Sequence, residues 1–152
     1  MDALQKGGIE QSALHNHLVG ESPHGMYMHF DGHRDATKLA RTLHDALAST
    51  KTPMGPVPPP PSTPPVIDLP TADLDRIIGA AGKIAGGTYQ FAVPRAEKII
   101  EHGVEMPPAM GMAIPLNFQP IGNGRAAITG DFVLLASEVN PVIASSAAAA
   151  SP

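Results

Sequence analysis

Cysteine and tryptophan are both absent from the 152 residues, which removes several chemistries at once. Without Cys there is no disulfide scaffold, no thiolate zinc site, no iron–sulfur cluster and no thiol nucleophile. The compartment stays open, since exported proteins also dispense with Cys. Aromatic residues make up only 4% of the chain and charged residues 16%. Acids outnumber bases 14 to 10, a net charge of −4, so no basic footprint for nucleic acid is expected. No apolar run approaches the roughly 18–20 residues of a membrane span. Met1 to Gly8 has no apolar core like that of a signal peptide. A mildly acidic, soluble protein is expected, one domain by length at roughly 100–200 residues per domain.

Proline and glycine, by contrast, are plentiful, at 17 and 15 residues. Nine of the prolines lie between residues 53 and 70, and Pro58 to Pro61 are consecutive. Proline fixes φ and offers no amide donor, so residues 51–70 read as an extended linker rather than helix or central strand. The linker divides the chain into two blocks. In residues 1–50, Asp2 to Lys6 reads as the end of a helix stopped by Gly7 and Gly8. Ile9–Leu18 and Gly25–His33 read as strands, and Asp35–Ser49 as a helix capped by Asp35 with an apolar stripe at Leu39, Leu43 and Ala46. In residues 71–143, Thr71–Ala81 reads as a helix with Thr71 as its cap. Thr88–Val93, Lys98–Val104, Gly111–Phe118 and Ala126–Leu135 read as strands, and Ser137–Ile143 as the start of a helix. Residues 144–152 read as a disordered tail of small residues. The fold class expected is α+β, with antiparallel strands and two or three helices.

Chemistry concentrates in one place. Five of the seven histidines, His15, His17, His24, His29 and His33, fall within residues 15–33, with Glu21 and Asp31 among them. On a strand, residues two apart share a face. His15 and His17 therefore share one, as do Tyr27, His29, Asp31 and His33, while Met26, Met28 and Phe30 take the opposite, apolar face. Brought together as antiparallel neighbours, the ionisable rows converge. Imidazole and carboxylate suit zinc, iron, nickel or manganese, and the candidate ligands are His15, His17, Glu21, His29 and His33. The alternative is that these histidines are surface or structural residues. His15-Asn16-His17 followed by Glu21 also matches the spacing of the first metal motif of cupins, although the second cupin motif is not evident.

Elsewhere the signals are weaker. Gly122-Asn123-Gly124 reads as a hairpin turn, because no helix and Lys follow as a phosphate loop needs. Arg95 is open to two readings, an anion-binding residue or an internal salt bridge. Asp131 reads as a turn residue, and Met106, Met110 and Met112 as core filler. His44, on the helix, and His102, in a turn beside Gly103, both read as solvated.

Longer stretches resemble a known family. Ala13-Leu14-His15-Asn16-His17-Leu18, Glu21-Ser22-Pro23, Met26-Tyr27-Met28-His29-Phe30 and Gly32-His33 resemble the LppY/LpqO family. So do Tyr89-Gln90-Phe91 with Pro94-Arg95-Ala96-Glu97, Asn117-Phe118-Gln119-Pro120, Ala127-Ile128-Thr129-Gly130-Asp131-Phe132 and Glu138-Val139-Asn140-Pro141-Val142. The family is a domain of unknown function, so the resemblance supplies no reaction. It implies an exported or cell-envelope setting. With no signal peptide in this chain, a cytoplasmic location is expected if it is expressed as it stands. Family members look like two tandem copies of one unit. Against that pattern, this chain is expected to be a truncated member, holding the second half of copy one and the first half of copy two. The missing halves would then come from another chain, or the two retained halves would assemble as a permuted unit. Three readings of function follow: a metal-binding domain, a non-catalytic cell-envelope binding module, or a truncated product without independent function.

Overall fold

The computed structural model describes residues 2–56 and 66–149. Residues 57–65, which hold the centre of the proline-rich segment, lie outside the described residues, as do residues 150–152 at the end of the expected tail. The chain divides into two compact units, Met1–Pro60 and Pro61–Pro152. The class is α+β: four α-helices and eight strands among the described residues, every strand pair antiparallel. The helix count is one above the expectation.

In the first unit, α1 (Asp2–Lys6) leads through Gly7–Gly8 into β1 (Glu10–His15), which pairs with β2 (Tyr27–Asp31). Helix α2 (Ala36–Leu47) follows, and the Asp35 carboxylate accepts the Lys38 amide at 3.0 Å as its N-cap. Leu39, Thr42, Leu43 and Ala46 form its half-buried stripe, the i, i+3, i+4, i+7 pattern of a helix with one covered face. Leu4 and Ile9 are the buried apolar residues of this unit, and α1 packs on α2. Both faces of this strand pair are open: Leu14, Met26, Met28 and Phe30 are exposed, and so are Ala13, Tyr27 and His29.

The second unit is better filled. Helix α3 (Thr71–Ile78) ends at Gly79, whose φ of +78° closes it three residues before the expected stop at Gly82. Pro70, not Thr71, occupies the cap position, and no side chain caps this helix. A four-stranded sheet runs in the order β3 (Lys83–Ala85), β4 (Thr88–Pro94), β7 (Ala113–Pro120), β8 (Ala126–Gly130). Strand period places Tyr89 and Phe91 on one face of β4, both buried. Their rings meet edge to face, with centroids 5.3 Å apart, and Phe91 meets Phe118 in the same way at 5.8 Å. The Tyr89 hydroxyl donates to Asp75 of α3 at 2.7 Å, and the Gly82 amide donates to the same oxygen. A side chain at Gly82 would strike the Tyr89 ring, so this glycine permits the close approach.

The expected strand Lys98–Val104 is instead a hairpin, β5 (Ile99–Glu101) and β6 (Val104–Met106), turned at His102 (φ +48°) and Gly103 (φ +79°). Gly122-Asn123-Gly124 does make the β7–β8 turn, with all three residues at positive φ. Helix α4 (Val139–Ala149) carries helical backbone past Ile143, into the expected disordered tail. Alanine is the best helix former, which favours helical backbone along this run. Met110 is exposed, not core filler, whereas Met106 and Met112 are half-buried.

Candidate metal centre

The strand pair of the first unit explains why the histidines meet. His15 stands opposite Tyr27, and His29 stands opposite Ala13. Side chains directly across an antiparallel pair share a face, so Ala13, His15, His17, Tyr27 and His29 fall on one side. A bulge makes this register. Gln11 pairs with Phe30 and Ala13 with His29, leaving Ser12 as the extra residue. Continuing the Gln11 register without the bulge would set Leu14 opposite Tyr27. The His15 row would then face away from the His29 row, because a slip of one residue inverts a strand's faces.

The result is a row of rings. Tyr27 and His17 stack with centroids 3.8 Å apart, His17 and His15 at 5.1 Å, and His15 and His29 at 4.9 Å. One ring nitrogen each of His15, His17 and His29 lies within 4.8 Å of the other two. His15 is half-buried and the other two are exposed, so the donors are reachable from solvent. A zinc ion holds imidazole nitrogens at about 2.0–2.1 Å, which places tetrahedral donors roughly 3.4 Å apart. Binding would therefore draw the three nitrogens together by up to about 1.4 Å and turn the rings out of their stack, since an imidazole points its lone pair within its own plane. Rotation about χ1 and χ2 of exposed side chains supplies that movement.

Of the five expected ligands, then, His15, His17 and His29 are gathered, and Glu21 and His33 stand outside this mutual cluster. Glu21 sits in the loop between the strands. One of its carboxylate oxygens accepts the Gly25 amide at 3.1 Å and lies 3.2 Å from His24 Nδ1. The other oxygen is buried with no hydrogen-bond partner. A buried carboxylate oxygen without a donor is unusual, and a cation or a proton is what satisfies one. His24, by its contact with Glu21, belongs to this loop rather than to the ring row.

The second unit answers the question of Arg95. Its side chain is only 10% exposed. Nε and Nη2 donate to Glu97, Nη1 and Nη2 to Glu138, and Nη1 to the Val133 carbonyl, at 2.7–3.1 Å. A guanidinium has five N–H donors, and this one directs all five inward. Nothing is left for an anionic ligand, so the salt-bridge reading holds. These contacts lower the pKa values of Glu97 and Glu138 below 4.5, chiefly through their hydrogen bonds from Arg95, and raise that of Arg95. The Tyr89 phenol is raised above 10.0, first because it donates to Asp75 and then because it is buried. Asp131 is exposed, its amide donating to the Pro115 carbonyl at 3.3 Å, a strand-end role. His44 and His102 are indeed solvent-exposed, beside Asp45 and Glu101.

Comparison with known proteins places the chain in a family. A sequence model described as Domain of Unknown Function (DUF1259) matches residues 1–49 and 72–150. The chain belongs to this family. Both matched segments flank the proline-rich stretch, and all three clustered histidines lie in the first of them. No curated protein and no solved structure matches the chain. Membership thus brings no activity with it, and no helix among the described residues is long and apolar enough to cross a membrane.

Proposed function

We propose that this chain binds one divalent transition-metal ion through His15, His17 and His29. The observation that carries the reading is the mutual proximity of three imidazole nitrogens within 4.8 Å on one sheet face. Three neutral nitrogen donors suit zinc, iron or nickel better than manganese, which favours oxygen. Glu21, with its unpartnered oxygen, and His33 are the candidates for the outer positions. Three protein ligands leave a coordination position open, and there a bound metal polarises an oxygen or lowers the pKa of water. The sequence resemblance supports the narrower LppY/LpqO assignment and a cell-envelope setting.

Calorimetric titration with zinc tests this. One equivalent should bind, and His15→Ala or His17→Ala should weaken it at least about 100-fold, since each removes a third of the ligand set. Affinity should also fall with acid, because only neutral imidazole is a ligand. No binding, or binding unchanged in both variants, overturns the proposal.

A second reading rests on the ring row itself. Four stacked rings form a flat-sided platform, and a non-catalytic binding module of the cell envelope would use it for a planar ligand without metal. Ligand binding that survives a chelator and is lost in Tyr27→Ala favours that reading over the metal.

A further inference from the structure

The first unit holds a second polar feature, away from the chemistry of the ring row. Lys6 ends α1, Arg34 precedes the cap of α2, and Lys38 and Arg41 lie one turn apart on α2. With Gln5, Gly7, Gly8 and Thr42, these four cations line one cleft of about 440 Å³. No acidic residue lines it. The whole chain has ten Lys and Arg residues, so four of them meet at one cleft of a net acidic protein. Among the described residues the charged group of none of the four forms an ion pair or a hydrogen bond. Like charges repel, and such a grouping is unfavourable until something neutralises it. Three carboxylates of the same unit are otherwise placed: Asp35 caps α2, Asp45 lies beside His44, and Glu10 lines the adjoining cleft with Arg34.

Two glycines shape the floor. Gly8 has a φ of +74°, a conformation that other residues adopt only with strain. A Cβ there would collide with the Arg34 guanidinium, and a Cβ at Gly7 would collide with Thr42. Gly8 thus lets the Arg34 side chain lie close against the backbone at the cleft, and a planar guanidinium fork is suited to tetrahedral oxyanions.

We propose that this cleft binds a phosphate group, with Arg34 as the fork-shaped contact and Lys6, Lys38 and Arg41 as supporting charges. The shared chemistry covers free phosphate and a phosphate monoester. The proposal is independent of the metal reading.

Backbone amide NMR of the full chain tests it at constant ionic strength, with sodium phosphate in one arm and glycerol phosphate in the other, each against chloride. In at least one arm, saturable shifts are expected at Gly7, Gly8, Arg34 and Thr42. Arg34→Gln and Arg41→Gln should each weaken binding about tenfold, the loss of one charge-assisted contact. Lys98→Gln, a cation already paired with Glu105, should leave it unchanged. Saturation by glycerol phosphate alone assigns the ester, and equal saturation assigns the phosphate group itself. Shifts that chloride reproduces, that fail to saturate in both arms, or that persist in Arg34→Gln and Arg41→Gln overturn the proposal. All these substitutions are at exposed positions, so amide dispersion of each variant confirms that it is folded.

Discussion

In the second unit the Arg95 guanidinium has all five donors engaged by Glu97, Glu138 and Val133, whereas in the first unit the charged groups of Lys6, Arg34, Lys38 and Arg41 form no ion pair or hydrogen bond among the described residues. The clefts differ in the same way. The one beside Arg95, about 210 Å³, is lined by Glu97, Lys98 and Glu105, and every charge there is already paired within the fold. The aromatic groups repeat the contrast. Tyr89 and Phe91 are buried, with the Tyr89 hydroxyl satisfied by Asp75, while Tyr27, His17 and His29 lie exposed in a row. Polar groups that close on one another hold a fold together, and polar groups gathered without partners are available to a ligand. By that measure the second unit reads as scaffold, and both proposed sites lie in the first.

The largest effect should come from the scaffold. Phe91 is 3% exposed at the centre of the aromatic cluster, and Phe91→Ala should cost about 3–5 kcal/mol in a denaturant titration. A loss under about 1 kcal/mol would mean that the sheet is not a packed core.

The Arg95 network should show itself in acid. Glu97 and Glu138 have folded pKa values below the 4.5 of an unpaired carboxylate. The unfolded chain therefore binds the proton first as pH falls. The stability these groups supply is complete above pH 4.5 and is lost as pH drops through the lowered folded values. Thermal midpoints followed from neutral to acid should fall in that window, and Glu138→Gln should be less stable at neutral pH with a flatter acid limb. Parallel curves for both proteins would break the contrast with the open cations.

The smallest effect is the sharpest. His17→Ala and Arg41→Gln alter exposed groups in the first unit that hold nothing in place by hydrogen bond or ion pair. Their unfolding free energies should stay within about 0.5 kcal/mol of the parent, even as zinc or phosphate binding weakens. A large loss of stability from either would make these residues scaffold too.

Much of this was legible in the residues, and the exceptions have physical causes. Period-two alternation showed which histidines share a face, because that pattern follows from strand geometry alone. Asp35 and the stripe of α2 were equally plain. The bulge at Ser12 was not, since nothing in Gln11-Ser12-Ala13 marks an extra residue, yet it sets which rows meet. Strand β3 escaped notice because three residues between Gly82 and Gly86 are too few to show a period. The turn at His102-Gly103 was legible from its glycine, but the hairpin around it was not, since three residues on each side are too few to show a period. Glu21 and His33 were reasonable ligands by proximity in sequence, but the loop anchors Glu21 to Gly25, and only three histidines close into one group. The basic cleft was invisible in the chain because its four cations are spread from Lys6 to Arg41 and meet only when α1 packs on α2.

The central claim is that the ring row is a metal site, and histidine-ring NMR with one equivalent of zinc addresses it directly. The chain has seven histidines, and the ring signals of each can be followed separately. Large, stoichiometric shifts of His15, His17 and His29, with His44 and His102 unmoved, are the predicted result. Uniform small shifts across all seven, or none at all, would contradict it.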